Sequence, residues 1–274
     1  MNTGNFCELR IEVTDENIRE VLIAQLAEIG YEGFEEMDDS LKAYIPEGDF
    51  SEKNLNSLFS INQLKYSQSV INKQNWNRIW ESNFEPVSVD DFVGIRAGFH
   101  PPFDKVANEI IITPKMSFGT GHHATTYLVM QLMSELNFSG KSVFDFGTGT
   151  GILAILAEKL GAGQIRAVDN DDWCIENASE NIAINHCTRV EIEKADTFPG
   201  NTKFDIILAN INRNILLDNM ASISGAIAFG GDIILSGLLA EDEKDILIAC
   251  LQNGLQHVKT VQRNGWIAIR LYMN

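Results

Sequence analysis

The sequence predicts an α/β fold, a mostly parallel sheet with helices on both faces, preceded by a small α+β unit of ferredoxin-like type. Three observations carry this. From residue 142 onward, apolar strand-like segments alternate with helical ones, and repeated βα units build parallel sheets. A glycine-rich turn, Gly147-Thr148-Gly149-Thr150-Gly151, stands between the first of these strands and its helix, where such sheets open their ligand crevice. Residues 6–71 read strand, helix, strand, strand, helix, strand, the order of a split βαβ sandwich.

In the N-terminal stretch, Phe6 to Val13 alternates loosely as a strand, and Thr14 or Asp15 supplies a helix cap. Ile18, Val21, Leu22, Leu26 and Ile29 fall at helical spacing, and Gly30 ends the helix. Residues 32–36 and 41–45 form a hairpin around Asp38-Asp39-Ser40. Residues 51–58 read as a short helix and 65–71 as a strand. In residues 73–85, Trp76, Trp80 and Phe84 are four apart, on one face of a connecting helix. The expected domains are therefore 1–72, a helical linker at 73–85, and 86–274.

In the C-terminal part, residues 87–98 and 109–113 read as strands around His100-Pro101-Pro102, and a helix begins near Thr125. Strands follow at 142–146, 165–169, 190–194, 204–209 and 233–235, with helices at 152–160, 172–184, 215–227 and 241–252. Strands at 258–262 and 266–272 close the chain. Only Arg263-Asn264-Gly265 separates these two, too little for a helical crossover, so they pair antiparallel.

The chain has 274 residues, 45% hydrophobic and 22% charged, which excludes a disordered or collagen-like protein. No apolar run approaches the roughly 18–20 residues that span a bilayer, and residues 1–8 carry no basic flank or apolar core of a secretory signal. The four scattered cysteines lack metal-type spacing and read as reduced thiols of a cytoplasmic protein. Net charge is −17, and residues 1–50 hold thirteen acids against three bases. This argues against direct nucleic-acid binding, which needs clustered Lys and Arg. It suits a basic protein partner or serves solubility.

The glycine turn discriminates between cofactors. A dinucleotide fingerprint is Gly-x-Gly-x-x-Gly, but its third glycine position is Ile152. Here the glycines stand at 147, 149 and 151, with Asp145 before them. That pattern resembles motif I of S-adenosylmethionine-dependent methyltransferases, whose cofactor carries an ammonium group rather than a pyrophosphate. Asp169, at the end of the next strand, can accept both ribose hydroxyls of either cofactor, and Ala195-Asp196 neighbours the adenine or forms a solvated turn. The fourth strand ends in Asn210, which either orients an amine for transfer or caps a turn. His122-His123 lacks a third ligand for a metal site.

Together, Phe118-Gly119-Thr120-Gly121-His122-His123-Ala124-Thr125-Thr126, the turn at 145–153, Ala209-Asn210-Ile211 and Leu235-Ser236-Gly237-Leu238-Leu239 resemble the PrmA family. Its members methylate the bacterial large-subunit ribosomal protein numbered eleven. The resemblance spans nearly the whole chain and is weakest in residues 1–72. It implies a class I (Rossmann-like) methyltransferase domain behind a substrate-recognition domain, and repeated methylation of lysine side-chain and α-amino nitrogens. It maps cofactor contacts onto Thr126, Gly147, Asp169 and Asn210. Phe118, Asp145 and Gly149 complete the candidate set, with Asn210 also the candidate catalytic residue. The chain departs from the family's common Gly-Cys-Gly at 147–149 and from its His-Pro at 123–124. The alternative is a methyltransferase of the same fold acting on a small molecule or RNA.

Overall fold

Alternating apolar side chains decide both layers of the N-terminal unit. The computed structural model describes residues 6–31, 33–37, 39–62, 65–71, 84–114, 121–200 and 202–274. The chain divides into two compact units, residues 1–79 and 80–274. Residues 72–83, most of the expected linker, lie outside the described residues, as do Asp38 and the segment 115–120 that contains Phe118.

In the first unit, β1 (Phe6–Glu12) turns Cys7, Leu9 and Ile11 inward. They meet Leu22 and Leu26 of α1 (Glu16–Glu28) and Leu55 and Phe59 of α2 (Glu52–Asn62). Asp15 is the residue that caps α1, its Oδ1 accepting the Ile18 N–H at 3.1 Å. With β2 (Gly33–Glu36), β3 (Ser40–Pro46) and β4 (Tyr66–Ile71), the sheet runs in the order β2-β3-β1-β4, antiparallel throughout. That is the ferredoxin-like arrangement.

The second unit begins with a three-stranded sheet of β5 (Val87–Val89), β6 (Val93–Ala97) and β7 (Asn108–Ile112). The single strand expected over 87–98 is broken in two. Asp90 adopts φ of 47°, a conformation Asp tolerates better than most residues, and the Phe92 N–H bonds back to the Val89 carbonyl at 3.1 Å. Arg96 is almost wholly enclosed. Its Nη2 donates to Glu109 Oε1 at 2.8 Å and its Nη1 to the Ala97 and His100 carbonyls, while Glu109 Oε2 accepts the Phe103 N–H at 2.9 Å. One ion pair therefore pins the loop between β6 and β7.

After α3 (Ala124–Met133) come β8 (Ser142–Phe146), α4 (Ile152–Lys159), β9 (Gln164–Asp169), α5 (Asp172–Ile184), β10 (Val190–Lys194) and β11 (Phe204–Asn210). Then follow α6 (Arg213–Ala226), β12 (Ile227–Leu239), α7 (Glu243–Gln252), β13 (Leu255–Arg263) and β14 (Trp266–Met273). The seven-stranded sheet has the order β10-β9-β8-β11-β12-β14-β13, with β14 antiparallel to both neighbours. This is the Rossmann-like class I topology. Both faces are buried. Val143, Ile206 and Leu208 pack with α3 and α4, while Phe144, Ile207 and Ala209 pack with α6 and α7. Each fully buried aliphatic side chain contributes about 1.5–3 kcal/mol.

The strand expected at 233–235 is far longer: β12 meets β11 from Ile227 and pairs with both β11 and β14 from Asp232 onward. Its partner register jumps from Phe204–Ile227 to Ile206–Asp232, leaving Gly230-Gly231 within the irregularity. The reversal of strand order between β8 and β11 brings the carboxyl ends of β8, β9 and β11 to one crevice.

The Arg96 guanidinium holds the Glu109 carboxyl below its ordinary value of 4.5, against a smaller opposing effect of burial. A depressed carboxylate contributes stability that is present above the unfolded pKa and lost as pH falls through the folded one. Glu109→Gln is expected to destabilise the second unit by about 1–2 kcal/mol at pH 7, a fall in Tm of about 2–8 °C. Calorimetry should show the difference from wild type shrinking below about pH 4.5. A constant difference across that range would show that Glu109 acts through shape alone.

Candidate active site

The turn from β8 to α4 contains alternating glycines because its backbone must take three positive φ angles. Gly147, Gly149 and Gly151 have φ of 77°, 55° and 80°, a region that side chains with a Cβ rarely enter. The Gly147 and Thr148 N–H groups both reach the Val168 carbonyl at 2.9 Å. The Gly149 N–H donates to Asp169 Oδ2 at 2.9 Å, and the Asp171 N–H to Asp169 Oδ1 at 3.1 Å. Asp169 thus orients the turn from the end of the neighbouring strand.

Around this turn lies a cavity of about 660 Å³, within the size range of small-molecule sites. At one end are Asp169, Asn170, Asp171, Cys174, Ala195 and Asp196. At the other are His123, Thr126, Asn210, Ile211, Asn212, Ile215, Gly237 and Trp266. Gly147, Thr148, Gly149 and Ile152 line it too. Of the seven candidates from the sequence, Thr126, Gly147, Gly149, Asp169 and Asn210 come together at this wall.

Asp145 does not. It is completely buried behind the turn, where its Oδ2 accepts the Thr148 hydroxyl at 2.6 Å. Its Oδ1 has no well-formed hydrogen bond, although the Ala154 N–H lies near enough to favour the charged form. Burial pushes its pKa up to about 7, outweighing the Thr148 contact, and the charge of Asp169 raises it further. The geometry corrects its expected cofactor contact to support of the turn from behind. Phe118 lies outside the described residues.

Asn210 ends β11, and the two readings of it separate here. The cap of α6 is Asn212, whose Oδ1 accepts the Ile215 N–H at 3.1 Å. Asn210 Nδ2 makes a long contact of 3.4 Å to Thr126 Oγ1. Its Oδ1 is buried and has no partner among the described residues. A buried acceptor left unpaired costs about 1–3 kcal/mol and marks a position awaiting a donor. Ile211 is wedged between glycines. A Cβ on Gly147 would strike its side chain, and one on Gly237 its main chain. Both glycines are needed for the end of β11 to sit this close to the turn.

His123 caps α3 rather than a metal. Its Nδ1 accepts the Thr125 N–H at 3.4 Å and lies 2.8 Å from Thr125 Oγ1, and its ring meets Trp266 edge-on at 4.7 Å. Among the described residues, no group of three or more His, Cys, Asp or Glu is placed to hold a metal ion. Sequence reasoning missed Cys174, Ile215, Gly237 and Trp266 as wall residues. For Trp266 a signal existed: an antiparallel last strand starts at the edge where the parallel strands end. Cys174 follows the two-residue connection after Asp169 and so falls in the first turn of α5.

The Cys174 thiol is pushed up to about 11, first by burial and then by Asp169 and Asp171. It is expected to stay protonated and to alkylate about a hundredfold more slowly than a free cysteine at pH 8. Peptide mapping after iodoacetamide treatment should show its rate rising about tenfold per pH unit up to that range. Fast labelling at neutral pH would contradict the electrostatic picture of this end of the cavity.

Comparison with known proteins identifies the lineage. The family described as ribosomal protein L11 methyltransferase (PrmA) matches residues 5–273. A ribosomal protein L11 methyltransferase of Porphyromonas gingivalis is 42% identical over 268 residues, 94% of this chain and 92% of that protein. One from Phocaeicola vulgatus is 37% identical over 267 residues, 94% and 95% of the two chains. The crystal structure of a ribosomal protein L11 methylase from Lactobacillus delbrueckii subsp. bulgaricus superimposes with a TM-score of 0.64 at 29% identity, covering 70% of this chain and all of that one. With the sheet order, the glycine turn and the Asn210 end of β11 already in place, the match across nearly the full length means that this chain belongs to the PrmA family of ribosomal protein L11 methyltransferases.

Proposed function

We propose that the cavity binds S-adenosylmethionine and that the chain methylates ribosomal protein L11 on lysine side-chain and α-amino nitrogens. The observation that carries this reading is the buried Oδ1 of Asn210 at the cavity wall, which has no partner among the described residues. An amide oxygen there can accept an N–H of the target amine and aim its lone pair into the cavity.

The donor set fits the cofactor. A carboxylate has about four acceptor directions, so Asp169, with two taken by backbone N–H groups, can still receive two ribose hydroxyls. Gly147 and Gly149 offer bare backbone for close approach. Ala195 and Asp196 flank the adenine end, and Thr126 and Asn210 the methionine end. When bound, the cofactor supplies an electrophilic methyl group on a sulfonium centre. The apolar walls at Phe146, Ile215 and Trp266 exclude water from the amine and strengthen its hydrogen bond to Asn210. An amine reacts through its neutral form, so Asn210 orients the lone pair once the proton has left to solvent.

Residues 1–72 are read as the substrate-recognition domain, 73–85 as the linker and 86–274 as the methyltransferase domain. The N-terminal unit has its own core, and all residues lining the cavity fall between His123 and Trp266. Its excess of acids suits a lysine-bearing partner and disfavours direct nucleic-acid contact. No helix among the described residues is long and apolar enough to cross a membrane, and the cytoplasm is the compartment this reading assigns, as that of a ribosomal substrate.

The direct test is transfer of labelled methyl from S-adenosylmethionine to unmethylated L11, with mass spectrometry of the product. Label on lysine and α-amino nitrogens is expected. Label in RNA or a small molecule, with none in L11, would overturn the substrate assignment.

Asp169→Ala should weaken S-adenosylhomocysteine binding by about 2–4 kcal/mol, or about 30- to 1,000-fold. It removes the hydroxyl acceptors and also frees the Gly149 and Asp171 N–H groups. An unchanged dissociation constant in calorimetry would make Asp169 a structural residue only. Asn210→Ala should lower kcat by more than it weakens S-adenosylhomocysteine binding. Equal losses in the two would assign Asn210 to cofactor binding alone.

A further inference from the structure

One face of α5 and its C-cap present three asparagines, Asn177, Asn181 and the capping Asn185, four residues apart. The first two are completely buried. They serve the outer edge of β7, which has no strand beside it among the described residues. Asn185 takes both groups of Ile111: its Oδ1 accepts the N–H at 3.0 Å, and its Nδ2 donates to the carbonyl at 2.6 Å. Two residues on, Asn181 Oδ1 accepts the Thr113 N–H at 2.8 Å and Asn177 Nδ2 donates to the Thr113 carbonyl at 3.3 Å. Four helical residues rise about 6.0 Å and two strand residues about 6.6 Å, so the helix face keeps step with the strand edge.

Asn181 makes one bond beyond that ladder. Its Nδ2 donates to the Thr150 carbonyl at 2.9 Å, between Gly149 and Gly151 of the turn. Glycines give the turn little side-chain packing of its own, so hydrogen bonds fix it. Asp169, which lines the cavity, holds the Gly149 N–H, and the fully buried Asn181 holds the Thr150 carbonyl. We propose that Asn181 is a positioning residue for the cofactor: by joining the end of β7 to Thr150, it fixes the Gly149–Gly151 backbone that the cofactor meets. Asn181 itself does not line the cavity. The proposal rests on the reading of that cavity as the S-adenosylmethionine site.

The test compares Asn181→Ala and Asn181→Asp with Asn185→Ala in the full chain. Asn181→Asp keeps an acceptor for the Thr113 N–H but places an oxygen against the Thr150 carbonyl. Asn185→Ala removes two bonds of the same ladder and one to the Asn181 carbonyl, but none to the turn. Both Asn181 variants are expected to raise the S-adenosylhomocysteine dissociation constant and the KM for S-adenosylmethionine about 5- to 30-fold. Their kcat at saturating cofactor should stay within about threefold of wild type. Asn185→Ala is expected to lower Tm with its dissociation constant within about twofold of wild type. Asn181 variants that lose Tm but bind normally, or an Asn185→Ala variant that binds as poorly as they do, would overturn the proposal and leave the ladder purely structural. Wild-type protein that binds no S-adenosylhomocysteine would instead overturn the cavity assignment, and this inference with it.

Discussion

The carboxylate of Asp169 is the contact on which the site is built. It stands at the end of β9 and holds the Gly149 N–H and the Asp171 N–H on separate oxygens. A glycine-rich turn loses more conformational entropy on ordering than any other backbone, so its shape needs external anchors. Asp169 supplies the one on the cavity side. The Val168 carbonyl, one residue earlier, takes the Gly147 and Thr148 N–H groups. The same carboxylate raises the pKa of Asp145 behind the turn and of Cys174 beside it. Burial is the larger cause of both shifts, and the Asp169 charge adds to it while the same carboxylate sets the backbone geometry of the turn.

The sheet makes this placement possible. β8 is an interior strand buried on both faces, and β9 beside it pairs with it in register from Ser142 to Phe146. Their carboxyl ends are therefore fixed to within the tolerance of a packed core. β11 lies on the other side of β8, and Ile211 is clamped between Gly147 and Gly237. That clamp brings Asn210 to the cavity while Asn212, two residues on, starts α6. Arg213 then ties the start of α6 to Asp242 and Asp245. The polar run Asn210-Ile211-Asn212-Arg213 divides its work residue by residue: one amide faces the cavity, one apolar side chain locks the strand end, one amide caps, and one guanidinium braces.

The acidity of the chain has separate consequences in its two units. In the first, Lys42 is shared by Glu8 and Glu35, and Tyr44 donates to Glu8 at 3.1 Å, so much of the basic charge on that sheet is already paired. The exposed pairs contribute little stability individually. In the second unit, Asp169, Asp171 and Asp196 gather at one end of the cavity. That end suits hydroxyl and amine donors rather than phosphate.

The sequence by itself determined the element order, the ferredoxin-like unit, the parallel sheet with its antiparallel last pair, and five of the seven candidate residues at the cavity. The elements, the glycines, Asp169 and Asn210 follow from local signals such as apolar period, caps, glycine spacing and strand ends, and Thr126 from the family resemblance. Tertiary structure alone decided the rest. The strand expected over 233–235 begins earlier, because Ile227 pairs with Phe204 across a register shift before pairing on both edges starts at Asp232. Val87 to Gly98 reads as one strand, yet Asp90 folds it into a hairpin. Asp145 carries the pattern of a cofactor contact, but its direction is set by the strand pleat, which turns it behind the turn toward Thr148. Asn181 stands 31 residues from Thr150 and 68 from Thr113, and no local rule links such positions. Hydrogen bonds of that kind depend on which faces the packed core brings together, and that information exists only once the chain has folded.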